Sequence, residues 1–121
     1  MAESQEILPS DWKEFFSSFS LQHDEELVTV EVMGSEIGAQ IEGRQLHLRG
    51  ISPAQGGEEP DLALMFDTND GSHLTHMIAK PRHVWLLRAR DDTDEALEIQ
   101  STDGTSTLVR LGPPSSSVTN D

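Results

Sequence analysis

The fold is decided at residues 27–33, which read Leu27-Val28-Thr29-Val30-Glu31-Val32-Met33. Val and Thr dominate this stretch, and such β-branched residues are typical of strands. Ahead of it, aromatic residues recur at helical spacing, and after it, short apolar runs are separated by Gly, Asn and Asp. The pattern therefore changes here from a helical period to a strand period, and it predicts strands over 27–33, 37–42, 45–52, 62–67, 73–79, 83–90, 95–101 and 106–111.

Turn residues stand between several of these strands, at Gly34-Ser35, Gly43-Arg44, Asn69-Asp70-Gly71 and Asp103-Gly104. Gly, Asn and Asp tolerate the positive φ of tight hairpins, so consecutive strands are expected to be antiparallel neighbours. The last hairpin has two possible registers. A two-residue loop would place Ile99 opposite Leu108, whereas a three-residue loop with Gly104 in a bulge would place Leu97 opposite Val109.

The residues before this β region predict one amphipathic helix over 10–22. Ser10 is a candidate cap, and the aromatic side chains fall at i, i+3, i+4 and i+7, namely at Trp12, Phe15, Phe16 and Phe19. Such a stripe is expected to pack on the sheet, with Phe15 and Phe19 buried in the core. The alternative is that the stripe forms a surface for a partner.

These elements predict an α+β fold in which the N-terminal helix packs on a bent antiparallel sheet or small β-barrel of about seven or eight short strands. So many short strands must close or stack to protect their edges. The predicted organisation is a flexible N-terminus at 1–8, a single helix-plus-β domain at 9–112, and a disordered Pro/Ser tail at 113–121. A polar, glycine-rich loop is predicted over 55–60.

The chain is strongly acidic: 22 acidic and 8 basic residues give its 121 residues a formal net charge of -14. This excess repels phosphate backbones and argues against general nucleic-acid binding. No apolar run approaches the roughly 20 residues of a membrane helix, and residues 1–10 do not resemble a signal peptide. The absence of Cys excludes disulfides and thiolate metal sites and fits a reducing compartment. A soluble, cytoplasmic protein is expected.

Against this background, residues 79–90, here called the basic island, contain four of the eight Lys and Arg residues and no acid. The four are Lys80, Arg82, Arg88 and Arg90, and His83 and Trp85 lie among them. With a period of two, Val84, Leu86 and Arg88 share one strand face, and His83, Trp85, Leu87 and Ala89 share the other. Both faces carry apolar residues, so the bases concentrate at the two ends of the strand.

The basic island has two interpretations. In the first, Arg88 and Arg90 neutralise nearby acids such as Asp91, Asp92 and Asp94. In the second, Lys80, Arg82 and His83 form an anion site beside Trp85, because planar guanidinium groups suit oxyanions. The second interpretation makes Lys80, Arg82, His83, Trp85 and Arg88 the predicted ligand-binding residues.

Catalytic signatures are absent from the sequence. It has no P-loop, no G-x-G-x-x-G, no H-E-x-x-H, no G-x-S-x-G and no Cys nucleophile. His73 and His76 are three residues apart, and in a strand this odd separation puts them on opposite faces, where they cannot share one metal. No catalytic residue, metal or cofactor is therefore predicted.

Several segments form a recognisable set: Trp12 with Phe15 and Phe19, Leu27-Val28-Thr29-Val30-Glu31-Val32, Ile37-Gly38-Ala39-Gln40-Ile41-Glu42, His73-Leu74-Thr75-His76 with Pro81, Asp94-Glu95-Ala96-Leu97-Glu98-Ile99, Asp103-Gly104, and Thr107-Leu108-Val109-Arg110. Together they resemble an uncharacterised bacterial family, domain of unknown function 5335, over about residues 8–111. The resemblance implies a small, stand-alone bacterial protein and carries over no activity, cofactor or site residue.

The sequence favours a non-enzymatic binding or interaction module that recognises an anionic group through the basic island. Its partner would be an unknown protein or a small anionic ligand, and no membrane binding is expected. The protein would be a monomer or a dimer. Two alternatives stay open. The chain could be an acidic mimic of nucleic acid that occupies a basic protein, or a small enzyme that uses His73 or His76.

Overall fold

The computed structural model describes residues 3–34, 38–54, 61–89 and 93–112. These residues form eight strands and one α-helix preceded by a short 3-10 turn, an α+β fold as predicted. The elements are β1 Glu3–Ile7, the 3-10 turn Pro9–Asp11, α1 Trp12–Gln22, β2 Leu27–Gly34, β3 Gly38–Ala54, β4 Asp61–Asp67, β5 His73–Ile78, β6 Pro81–Arg88, β7 Asp94–Ser101 and β8 Ser106–Leu111. The loop predicted at 55–60 and the tail predicted at 113–121 lie outside the described residues.

All eight strands belong to one antiparallel sheet in the order β1-β6-β7-β8-β2-β3-β4-β5. Only Ala79 and Lys80 lie between β5, at one edge, and β6, next to the other edge. Six strand spacings in a flat sheet would separate β5 from β6 by about 29 Å, whereas three Cα–Cα steps span at most about 11 Å. The sheet must therefore be strongly bent. It is not closed into a barrel, and β5 and β6 are consecutive in the chain without being neighbours, contrary to the prediction for consecutive strands.

Strand β3 is a single bent strand, and the turn predicted at Gly43-Arg44 is wrong. Its 17 residues would extend over roughly 55 Å if straight, longer than a domain of this size. The bend accompanies a positive φ of 56° at Gln45 and a register shift in the pairing with β2 between Val28 and Val30. The first half of β3 pairs with β2 and the second half with β4, so one strand serves both parts of the sheet.

Helix α1 begins at Trp12 rather than at Ser10. Ser10 lies in the 3-10 turn, and the N-cap residue is Asp11, which makes no side-chain cap bond. Phe16 and Phe19 are buried in the core. Phe15, which was predicted to be buried, is half-buried and packs against the core from its margin.

The helix is held to the sheet by a hydrogen-bonded serine. Ser20 Oγ accepts a hydrogen bond from the Ile51 N–H at 2.9 Å and donates to the Ile51 carbonyl at 3.3 Å. The second half of β3 does not pair with β2. The Ser20 hydroxyl therefore bonds to the Ile51 N–H and C=O groups, which would otherwise need a neighbouring strand. A Cβ atom at Gly50, beside Ile51, would make ordinary van der Waals contacts with Met65 and Ser20.

Strand β1 was not predicted. It pairs with β6, from Glu3 opposite Arg88 to Ile7 opposite Val84, and it includes most of the segment that was expected to be flexible. Of the side chains described for it, only Ile7 is buried. A strand with one apolar residue gives no alternating pattern, which is why the sequence did not reveal it.

The two Asp-Gly turns have the same geometry. The Thr68 N–H donates to the Ser72 carbonyl at 2.9 Å, and the Ser101 N–H donates to the Thr105 carbonyl at 2.8 Å. Gly71 and Gly104 have φ of 88° and 89°, a conformation that favours Gly. In the second hairpin Leu97 is opposite Val109, so the three-residue loop is the register that the protein adopts. In the part of the chain that the structure describes, no helix has the length and hydropathy needed to cross a membrane.

Candidate functional site

Most of the basic island forms β6, and its side chains alternate as predicted. Val84 and Leu86 are buried in the core, and His83 and Trp85 lie half-buried on the other face. The structure thus brings His83 and Trp85 together, with ring centroids 5.1 Å apart and planes inclined by 22°. Arg90 lies outside the described residues.

Arg88 does not join His83 and Trp85. It shares the face of Val84 and Leu86, and its Nε lies 3.6 Å from Asp94 Oδ1. This nitrogen is buried and lies beyond hydrogen-bond distance of the carboxylate. Arg88 therefore fits the first interpretation of the basic island, a cation paired with a nearby acid.

A carboxylate also lies beside His83. His83 Nδ1 is 2.8 Å from Glu6 Oε2, and Glu6 is directly opposite Trp85 in the pairing of β1 with β6. On the other side, Trp85 is opposite Glu98 of β7. The surface around His83 and Trp85 is therefore mixed in charge, a feature that sequence reasoning missed because β1 was not predicted.

Lys80 and Arg82 lie at the other end of β6, at the passage from β5, and are here called the basic corner. Arg82 is the extra residue of an irregularity in the pairing with β7, between Pro81 and His83. Lys80 has a φ of 51°. Its N–H donates to Asp61 Oδ1 at 3.4 Å, and its carbonyl accepts from the Thr102 N–H at 3.1 Å. These contacts fix the backbone of the corner.

The side chains of the basic corner differ from those of three arginines of the sheet. Arg49, Arg88 and Arg110 each have a carboxylate within 4.0 Å. Across residues 3–34, 38–54, 61–89 and 93–112, no carboxylate lies that close to the side-chain nitrogens of Lys80 or Arg82, and both residues are exposed. A guanidinium and an ammonium group in this position can bind a carboxylate or a phosphate.

The outer face of the sheet carries a row of carboxylates. Glu6, Glu98 and Glu31 lie on one line across the strands, separated by Trp85 and Leu108. Successive carboxylates are two strands apart, which is about 10 Å. Glu31 accepts a hydrogen bond from Arg110 Nε at 3.2 Å, and Glu6 contacts His83, so two of the three have a basic partner.

His73 and His76 lie on opposite faces of β5, as their spacing predicted. His73 is exposed and its Nδ1 is 2.6 Å from Asp67 Oδ1. His76 is half-buried and borders a cavity of about 70 Å³ lined by Val30, Leu46, Phe66, Leu74, Thr75 and His76. Among the described residues, no group of His, Asp and Glu has the arrangement of a metal site.

A family model matches residues 3–119, and its description is a family of unknown function, DUF5335. The chain belongs to this family. The match confirms the resemblance seen in the sequence and extends it to β1. No curated protein and no solved structure matches the chain.

This DUF5335 protein also contains a buried polar cluster that sequence reasoning missed. His23 follows the end of α1, with Nδ1 at 2.7 Å from Glu26 Oε1 and Nε2 at 2.8 Å from Asp94 Oδ2. The ring of Phe19 packs on that of His23 at 4.5 Å between centroids. Asp94 is 71 residues further along the chain, so only Glu26 could have been predicted as a neighbour.

The cluster lies beside a groove between α1 and β6. This groove has a volume of about 340 Å³ and is lined by Phe15, Ser18, Phe19, Gln22, Leu86, Arg88 and Asp94. Arg88 and Asp94 supply its charges and contact each other. The charged groups of this DUF5335 groove are therefore already paired.

Proposed function

We propose that the protein is a non-enzymatic interaction module that recognises an anionic group of a partner at the basic corner. The observation that carries this proposal is that both side chains are exposed and that, among the described residues, no carboxylate lies within 4.0 Å of the side-chain nitrogens of Lys80 or Arg82. In a chain with a net charge of -14, two such cations, separated only by Pro81, form a local concentration of positive charge. The anionic group would be a carboxylate or a phosphate, because both accept hydrogen bonds from guanidinium and ammonium donors.

The backbone of the corner supports this function. A non-glycine residue in the left-handed region costs about 1 kcal/mol, and Lys80 is held there by its contacts with Asp61 and Thr102. Arg82 is the extra residue of an irregular pairing, and such an irregularity turns the Arg82 side chain away from the regular alternation of β6. The two cations are thus positioned by rigid strands rather than by a long loop.

The proposal narrows the five residues predicted from the sequence. Lys80 and Arg82 supply the positive charge, and His83 with Trp85 forms the adjoining surface. The Glu6 carboxylate at 2.8 Å competes with an external anion for His83. Arg88 belongs to the contact with Asp94 and is not included.

The test is thermal unfolding in phosphate or sulfate compared with chloride at matched ionic strength. An anion that binds the folded state stabilises it by about 2.7 kcal/mol at a hundredfold excess over its dissociation constant. Chloride controls for general screening of the acidic chain. Arg82→Ala should remove the specific effect, and Arg110→Ala should keep it, because Arg110 is paired with Glu31. Equal stabilisation by chloride and phosphate in the wild type would refute the site.

The acidic mimic is the second candidate, favoured by the row of Glu6, Glu98 and Glu31. Its support is weaker, because Glu6 and Glu31 have basic partners. It would require binding to a basic protein that Glu98→Gln abolishes while Glu14→Gln, an exposed control on α1, does not.

We further propose a bacterial origin and a cytoplasmic location. The support is the sequence resemblance described above and a composition without Cys, which suits a reducing compartment. Fractionation of cells that express the full chain tests the location. Recovery with the membrane or extracellular fraction would contradict it.

A further inference from the structure

Strand β5 is an unprotected edge of the sheet. It pairs with β4, and the described residues place no strand on its other side. Sheet edges are usually guarded by charged residues, Pro or bulges. The six residues His73–Ile78 include no Lys, Arg, Asp, Glu or Pro, and their pairing with β4 has no register shift. The opposite edge, β1, carries Glu3 and Glu6.

The backbone groups that face outward from β5 follow from the hairpin geometry. Thr68 and Ser72 are joined by a backbone hydrogen bond, and bonded pairs alternate along an antiparallel ladder. Leu74 and His76 therefore direct their N–H and C=O groups to β4. His73, Thr75 and Met77 direct theirs away from the sheet.

An independent contact supports this assignment. Ile51 is opposite Leu64 and uses its N–H and C=O groups with Ser20, so it does not bond to Leu64. Leu64 is then free to bond to His76, its partner on β5. The N–H and C=O groups of Thr75, the residue before His76, then point away from β4 and can bond to another strand.

We infer that β5 pairs with β5 of a second copy of this chain, antiparallel and about a two-fold axis at Thr75. This register sets Thr75 opposite Thr75 of the second copy and His73 opposite its Met77. In this register, residues whose N–H and C=O groups point outward in one copy face residues of the same kind in the other copy. Side chains on one face of β5 then continue on the same face of the joined sheet. Such an interface is isologous, as in most homodimers.

Charge favours a second copy as the occupant of this edge. Each β5 follows Asp67, the last residue of β4, and Asp70 in the turn, and it leads into the basic corner of Lys80 and Arg82. The antiparallel arrangement brings the acidic end of one copy towards the basic end of the other, twice. The strand itself is uncharged, so two chains of net charge -14 meet there without like charges in the ladder.

Exposure of apolar side chains points the same way. Leu74 is 39% exposed and Met77 is 48% exposed, two of the large hydrophobic residues that the described surface leaves accessible. A neighbouring strand would cover part of both. An edge contact buries a modest area, so the dimer is expected to depend on concentration.

The test is sedimentation or light scattering of the full chain over a wide range of protein concentration at physiological salt. Wild type should dimerise. Thr75→Lys and Thr75→Glu should each raise the dissociation constant at least about tenfold, because like charges would then face each other directly. An equimolar mixture of the two variants should restore a one-to-one dimer. Leu21→Lys adds the same charge at an 81% exposed helix position and should leave dimerisation unchanged.

The inference goes beyond the proposed function, because it rests on the backbone of β5 rather than on anion binding. A monomer at every concentration, or a dimer that both Thr75 variants leave intact, would overturn it. A mixture that stays monomeric would also do so. Phosphate stabilisation measured on the monomeric Thr75→Lys chain tests the basic corner separately, so failure of one proposal can be distinguished from failure of the other.

Discussion

His23 Nε2 lies 2.8 Å from Asp94 Oδ2, which joins the end of α1 to the first residue of β7. The other ring nitrogen faces Glu26 at 2.7 Å. The side chains of His23 and Asp94 are both about nine-tenths buried, so this contact lies in the interior where α1 meets the sheet.

We predict that His23→Ala lowers the free energy of unfolding by about 1 to 3 kcal/mol, because the buried Asp94 carboxylate would lose a hydrogen-bond partner. Urea denaturation provides the measurement. His47→Ala is the control, since His47 makes only an exposed bond to the Glu25 carbonyl at 3.2 Å. Equal losses of unfolding free energy in the two variants would show that the buried contact of His23 stabilises the fold no more than the exposed contact of His47.

The aromatic face of α1 predicts a graded effect of truncation. Phe16→Ala should cost about 3 to 5 kcal/mol, because Phe16 is 0% exposed in the core. Phe15→Ala should cost less, because Phe15 lies at the margin. Thermal melting compares both with Leu21→Ala, at an exposed position. A larger loss for Phe15 than for Phe16 would contradict the observed orientation of the helix.

Removal of the serine hydroxyl tests the anchor between α1 and β3. Ser20→Ala leaves the Ile51 N–H without its partner and should reduce stability by about 1 to 2 kcal/mol. Ser17→Ala is a matched control on the exposed side of the same helix. Amide hydrogen exchange at Ile51 should accelerate in the first variant alone. Unchanged exchange there would argue against the bond.

The Asp-Gly turns predict an acid dependence of stability. The hydrogen bond from the Thr105 N–H holds the pKa of Asp103 below its ordinary value. The ionised carboxylate therefore stabilises the fold at neutral pH, and this contribution is lost as pH falls through the lowered pKa. The stability difference between wild type and Asp103→Asn should shrink between about pH 7 and about pH 3. A difference independent of pH would contradict this account.

Local signals in the sequence predicted local structure well. Asn69-Asp70-Gly71 and Asp103-Gly104 form the expected turns, because their conformation depends on a few adjacent residues. Gly43-Arg44 carries a similar signal but lies within a continuous bent strand. There the pairing of β3 with both β2 and β4 determines the path of the chain, and this pairing is not a local property.

The candidate site could be predicted only in part for the same reason. The alternation of His83, Val84, Trp85 and Leu86 followed from the period of a strand. The partner carboxylates could not be predicted, because Glu6 and Asp94 reach β6 from separate strands. Among the described basic residues of the basic island, Lys80 and Arg82 are therefore the ones whose side chains have no carboxylate close by.

The pairing of β1 with β6 has a consequence for synthesis of the chain. Glu3 is opposite Arg88, so β1 has no partner in the sheet until the chain has been made as far as β6. The buried side chain of β1, Ile7, belongs to the same core as Leu97, which comes later still. Contacts this distant in sequence are associated with slow folding. Strand β1 must therefore wait for β6 before it can pair, whereas α1 can pack on β3 much earlier.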